Sequence, residues 1–156
     1  MKTFKLTKET FIEYTINHED LSYVLVEDLD TLEKNINPMK TLIDYFNTEY
    51  KWDEMFNITD VYNRINNDHS VFIFYYKEQP IGYMWFKKLD DNSCFTYNLY
   101  ITNLIERPKE SSNWLYNNSN KIIFKKFKEI RMEIFEWNVA AIKLVYSSGA
   151  KCITLL

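Results

Sequence analysis

The sequence predicts an α/β (α+β) fold, a mixed and mostly antiparallel central sheet flanked by helices. Two observations predict it. The hydrophobic period switches from helical to alternating near residue 71, where three strand-like runs follow one another through short polar connections. The chain then returns to helix, strand, helix, strand up to its end, so helices and strands intermix. With 156 residues, 46% of them hydrophobic and 17% aromatic, the chain has enough apolar surface for one core and offsets its ordering entropy.

The elements follow in order. Residues 1–21 read as an N-terminal extension with one candidate strand, Thr10–Ile16 ("TFIEYTI"), and residues 22–156 as a single domain. "SYVLV" (22–26) is a strand. "EDLDTLEKNIN" opens a helix that Pro38 interrupts or ends, because proline lacks the N–H a helix interior needs. Beyond it Met39, Leu42, Ile43 and Phe46 share one helical face, and Asn57 or Thr59 caps a further helix carrying Val61 and Ile65. "VFIFYYK" (71–77), "PIGYMWFKK" (80–88) and "CFTYNLYIT" (94–102) read as an antiparallel meander, the first strand central because both its faces are apolar. "NLIERPKESSN" is a polar loop leading to a helix with Trp114, Leu115, Ile122, Ile123 and Phe127. "EIRMEIFE" alternates as a strand, a helix spans 136–149, and "AKCITLL" closes the sheet.

Several function classes are excluded. A net charge of −3 gives no general attraction to nucleic acid or anionic lipid. No apolar run approaches the roughly 20 residues of a membrane span, and the N-terminus lacks the apolar segment of a secretory signal, so a cytoplasmic protein without membrane association is expected. Cys94 and Cys152 form no metal or redox motif and the only histidines are His18 and His69, so no metal site is expected.

The chain has two glycines, and both stand at telling places. Asn138, Ala141, Leu144 and Gly149 in "NVAAIKLVYSSGA" match the spacing "N..A..LY...GF", and Gly82 in "QPIGYMWF" matches the hairpin pattern "xxVGf", of the GCN5-related N-acetyltransferase (GNAT) superfamily, which residues 22–156 resemble. Physically, Gly149 suits the position after a helix that needs positive φ, and Gly82 a close backbone approach within a strand.

The resemblance implies an N-acyltransferase using acetyl-CoA and acting on a small-molecule or protein amine, as a monomer or homodimer. It implies that the sheet parts after the fourth strand of the family's sheet and that the pantetheine arm pairs with Leu99, Tyr100 and Ile101. The family's pyrophosphate loop, [QR]xxGx[GA], is matched by Arg107–Ser112, which makes Arg107, Lys109, Ser111, Ser112 and Asn113 cofactor-binding together with Asn138. Glu110 departs from the pattern by replacing the first glycine with a negative charge. "ESSN" also reads as a plain N-cap with an acidic first turn, without a ligand.

The resemblance also implies a proton donor for the leaving thiolate, a tyrosine that many relatives place seven residues after the motif asparagine. Val145 stands there, and Tyr146, the catalytic candidate, is one residue on, which on a helix is a turn of about 100°; in an aromatic-rich chain a tyrosine is more often a packing residue. Glu133, Glu136 and Asp60 are candidates for the base that deprotonates the amine, and each reads equally as a surface charge. Lys121, Lys125, Lys126, Lys128 and Arg131 complement a helix C-terminus or offer a nucleic-acid surface, the former being favoured. Two other readings remain beside the acetyltransferase: a GNAT-fold transferase acting on nucleic acid bases with another donor, and an inactive GNAT-fold binding module.

Overall fold

The computed structural model describes residues 1–13, 18–50, 57–65 and 67–153. In chain order the elements are β1 (Lys2–Thr7), β2 (Leu21–Val26), α1 (Leu29–Lys34), α2 (Ile36–Glu49), α3 (Ile58–Arg64), β3 (His69–Tyr76), β4 (Gln79–Lys88), β5 (Ser93–Ile101), α4 (Ser111–Ile123), β6 (Glu129–Ile134), α5 (Val139–Ser147) and β7 (Lys151–Cys152). Among the described residues they form one seven-stranded sheet in the order β2-β3-β4-β5-β6-β1-β7. Every neighbouring pair is antiparallel except β5 with β6.

The sheet is buried on both faces because its inner strands are apolar at successive positions. Phe72, Phe74, Met84 and Phe86 join Leu115, Ile123, Ile130 and Val145 on the α4/α5 face. Val71, Ile73, Tyr83, Trp85 and Tyr100 join Met39, Leu42, Ile43 and Val61 on the α1–α3 face. The helix break comes three residues before Pro38, at Asn35, whose φ of −118° and ψ of 20° leave the helix. Pro38 then sits in the first turn of α2, where a missing N–H costs nothing.

The N-terminal segment differs from its reading. Lys2–Thr7 forms a strand that lies inside the sheet between β6 and β7, and of the expected Thr10–Ile16 the described residues 10–13 are in no strand. Phe4 and Leu6 drive this, since both are fully buried. Residues 10–13 form a turn and irregular chain, and 14–17 fall outside the described residues. Ile12 N–H donates to Ser148 O (2.9 Å) and Asn117 Nδ2 to Ile12 O (3.1 Å), so this strap joins the middle of α4 to the C-terminal end of α5.

Gly149 explains why a glycine-poor chain keeps one there. Its φ is +99°, and Gly149 N–H to Tyr146 O with Ala150 N–H to Val145 O closes α5 in a Schellman turn. A Cβ at Gly149 would stand 2.0 Å from Thr10 O, so the strap needs the glycine too. Asn138 opens the same helix, its Oδ1 accepting from Ala141 N–H at 3.2 Å. α5 is thus shorter than the expected 136–149.

Candidate active site

β5 and β6 run together only from Ser93/Glu129 to Thr96/Met132. Beyond that point they part. The cause is visible in β5: the β4 register jumps from Trp85↔Asn98 to Phe86↔Thr96, which leaves Tyr97 as an extra residue. Such a bulge bends its strand and raises its twist, here turning β5 away from β6. Residues 97–101 keep β4 on one side and have no strand partner on the other among the described residues.

A cavity of about 680 Å³ occupies the split. Side-chain alternation divides its wall between the two faces of the sheet. On the α4/α5 face stand Thr96, Leu99, Tyr116, Met132, Ile134, Ala141 and Val145. On the α1–α3 face stand Phe46 and Tyr50 from the end of α2, with Tyr97, Asn98 and Glu133; Phe135, Trp137 and Asn138 complete the lining. Trp137 is 62% exposed and stacks on Phe135 with centroids 5.6 Å apart. The cavity therefore crosses the sheet, and the free edge of β5 lies where its two halves meet.

The walls are polar at few points. Tyr97 is clamped from behind: the Arg64 guanidinium lies 5.0 Å from its ring and hydrogen-bonds its hydroxyl, and Trp85 packs at 4.9 Å. Trp85 Nε1 in turn donates to His69 Nδ1 at 2.8 Å. Burial, aided by Lys87 and Arg64, pushes the His69 imidazole below its usual range and keeps that acceptor neutral. Asn98 Nδ2 donates to Tyr83 OH at 2.9 Å. Tyr116 OH donates to Met132 Sδ at 3.2 Å, and burial holds the phenol well above its usual range. Thr96 Oγ1 is buried without any hydrogen-bond partner.

Past β5 the chain is tied into a closed loop. Glu49 Oε1, at the end of α2, accepts from Thr102 Oγ1 (2.9 Å) and Asn103 N–H (2.7 Å). Arg107 donates through Nε to Thr102 O (2.9 Å), through Nη1 to Ser111 Oγ (2.7 Å) and Ser112 Oγ (3.4 Å), and through Nη2 to Asn103 Oδ1 (3.2 Å). Ser111 Oγ donates onward to Pro108 O at 2.7 Å. Glu110 makes no side-chain cap for α4 and lies 3.8 Å from His18 Nε2.

The expected site residues therefore separate into three groups. Leu99 and Asn138 line the cavity, with Tyr100 and Ile101 on the same edge. Tyr100 turns its ring to the α2 face, edge-on to Phe46 at 5.3 Å, and Ile101 packs on the α4/α5 core. Arg107, Ser111 and Ser112 hold the loop together, while Lys109 and Asn113 are exposed. Tyr146 is 48% exposed and packs edge-on to Phe4 at 5.3 Å, and it is Val145 rather than Tyr146 that lines the cavity. Asp60 is engaged in a capping box with Asn57 at the start of α3, and of the base candidates only Glu133 lines the cavity. In the basic run, Lys121, Lys126 and Arg131 each stand against a carboxylate, of Glu13, Glu27 and Glu129. Thr96 and Tyr116 had no sequence signal, since neither a bulge nor a buried hydroxyl is legible in residue types.

No protein-family model and no curated protein matches the sequence. Solved structures do match its backbone. An aminoglycoside acetyltransferase from an uncultured soil metagenomic sample, in complex with sisomicin, aligns with a TM-score of 0.61 at 15% identity over 83% of this chain and 87% of that one. The chain has the GNAT fold. A tandem GNAT protein from the clavulanic acid biosynthesis pathway gives a TM-score of 0.69 at 10% identity over 97% of this chain, which spans 49% of that one. An Arabidopsis thaliana protein in complex with the bisubstrate analogue CoA-Ac-MVNAL gives 0.56 at 19% identity, over 83% of this chain and 82% of that one. No helix among the described residues is long and apolar enough to cross a membrane.

Proposed function

We propose that this protein is an N-acetyltransferase that draws on acetyl-CoA and serves an amine acceptor, either a small molecule or a protein amine. The observation that carries the reading is the split itself: a cavity that crosses the sheet at an unpaired strand edge lets a donor and an acceptor meet from opposite faces. Both acceptor classes have a counterpart among the structural neighbours, one holding sisomicin and one a peptide-bearing bisubstrate analogue.

The residues fit a thioester arm. The backbone of 97–101 has hydrogen-bonding groups to offer, Leu99, Met132, Ile134, Ala141 and Val145 supply an apolar wall, and the unpartnered Thr96 hydroxyl marks a polar point at the far end. At the phosphate end the first turn of α4 contributes backbone N–H groups and the positive end of its dipole, with Lys109 nearby in sequence. Arg107 and Ser111 position that turn rather than reach a ligand, because their polar atoms are already engaged.

When bound, acetyl-CoA supplies a thioester carbonyl open to attack by a neutral amine and a thiolate that leaves. Glu133 projects to the acceptor half and takes the proton that makes the amine neutral. Phe46, Tyr50 and Tyr97 wall that half and limit water around the nucleophile. Holding both partners at one edge supplies the remaining rate enhancement through orientation. Titration calorimetry with acetyl-CoA, followed by thiol release across aminoglycosides and short peptides with free N-termini, tests the reading; no heat of binding at millimolar acetyl-CoA sinks it.

A further inference from the structure

We propose that the Thr96 hydroxyl, at the point where β5 and β6 part, is the hydrogen-bond donor to the coenzyme A sulfur as the thiolate leaves. The inference rests on the acetyltransferase reading above and assigns within it a role that α5 does not fill, since Val145 is apolar and Tyr146 faces away from the cavity.

Three observations converge on Thr96. Its residue is 8% exposed and its Oγ1 is buried without a partner, an arrangement that is costly unless a ligand or water supplies one. It is the last residue of β5 paired with β6, opposite Met132, and so stands at the closed end of the split. It also shares the α4/α5 face with Leu99 and Val145, the half in which a thioester arm would lie. A ligand pairing along residues 101 to 97, with its phosphates toward α4, ends at this position.

Tyr100 OH is also buried without a partner, but its ring lies on the α2 face; the hydroxyls on the α4/α5 side are committed. Tyr116 OH donates to Met132 Sδ, Ser148 Oγ to Val145 O at 2.6 Å, and Ser111 Oγ to Pro108 O. In the transfer, the amine nitrogen bonds to the thioester carbon and the carbon–sulfur bond breaks with its electron pair on sulfur. The amine proton passes to Glu133 and on to water. Thr96 keeps its own proton and donates a hydrogen bond to the sulfur, which takes a proton from water as coenzyme A departs. A charge-assisted hydrogen bond of this kind stabilises a thiolate more than a thiol.

The test compares coenzyme A with desulfo-coenzyme A by titration calorimetry on wild type, Thr96→Val and Thr96→Ser, at about pH 9 where a thiol is largely ionised. Wild type should bind coenzyme A roughly tenfold tighter than the desulfo analogue, the scale of one hydrogen bond to a charged group. Thr96→Val should bring the two ligands within about twofold, and Thr96→Ser should restore the difference. Folding of each variant is checked by circular dichroism. If Thr96→Val folds and keeps the full preference, the assignment is wrong while the acetyltransferase reading stands. Should Thr96→Val not fold, wild type alone decides: a preference that does not grow between about pH 7 and pH 9 overturns the proposal. Wild type that binds neither ligand overturns the acetyltransferase reading and this assignment with it.

Discussion

The two ends of the split differ in how their polar groups are used. At the closed end, Thr96 Oγ1 has no hydrogen-bond partner, so its capacity is left over. At the open end, Thr102, Asn103, Arg107 and Ser111 bond one another and Glu49 until little capacity remains. Unsatisfied groups in a concavity point to a ligand, whereas mutually satisfied groups point to architecture. The Arg107–Ser112 stretch matches a binding pattern in sequence, yet its side chains behave as a brace between α2, β5 and α4. Selectivity for an acyl donor should therefore reside near the bulge, and stability near the loop.

Glu133→Gln is the strongest way to break this comparison. If the closed end carries the chemistry, losing the one carboxylate that lines the cavity among the described residues should lower kcat by about 100-fold or more at neutral pH, with acetyl-CoA affinity nearly unchanged. Raising the pH should recover part of the rate, because the amine then deprotonates without help. Steady-state kinetics across pH 6–10 checks this, and an unaltered kcat would move the base elsewhere.

Arg107→Met should act on stability. It strands Thr102 O in a buried position and takes one of two partners from Ser111 Oγ, whereas the exposed Asn103 turns to water, at a cost of about 1–3 kcal/mol. Arg107→Lys should rescue little of it, since an ammonium cannot reproduce the guanidinium fork. Urea unfolding measures the loss. A destabilisation below about 0.5 kcal/mol together with a large drop in acetyl-CoA affinity would reverse the roles of the two ends.

The contrast also separates what the sequence disclosed from what it withheld. The meander, the helix after it and the Asn138-to-Gly149 helix were legible because periodicity and two glycines act locally: Gly82 leaves room for Tyr100 O, 2.3 Å from where a Cβ would sit, and Gly149 takes positive φ. β1 was not legible, because "KTFKLT" is a short run like many others until the groove between β6 and β7 buries Phe4 and Leu6. Leu99, Tyr100 and Ile101, expected as an edge from the resemblance, fall within the stretch of β5 that has no second strand partner among the described residues. The groups that face it were missed, since the Tyr97 bulge and the isolation of Thr96 are products of packing. At the loop, the pattern gives residue types and not the bonds that Arg107 and Ser111 make within the chain.

A milder effect concerns pH. His69 has a folded-state pKa below its ordinary value of about 6.5, so between the two values the unfolded chain binds a proton that the folded chain refuses. Stability from this group is present in full above about pH 6.5 and is lost as pH falls toward the folded pKa. Protonation also removes the Nδ1 acceptor of Trp85, weakening the mount behind Tyr97 at the closed end. Asp28 and Asp90 have pKa values lowered by backbone hydrogen bonds, so their contribution is lost only below about pH 4 and does not overlap. Thermal melts from pH 7 to 5 should show the decline in wild type and a flatter profile in His69→Gln; equal slopes would remove His69 from the account.

The smallest expected effect sharpens the comparison most, because it concerns the residue that resemblance alone would choose. Tyr146→Phe removes a hydroxyl from a half-exposed ring that rests on Phe4 and lies outside the cavity, so kcat and the acetyl-CoA affinity should stay within about twofold of wild type. One helix position earlier, Val145 faces the split, and the geometry of α5 brings only one of two adjacent residues there. Val145→Tyr would then put a phenol in the cavity wall, and in a Thr96→Val background it should return part of the coenzyme A preference over the desulfo analogue. A Tyr146→Phe enzyme slowed tenfold or more would mean that α5 rotates when ligand binds, and the division of labour between the two ends would have to be redrawn around that rotation.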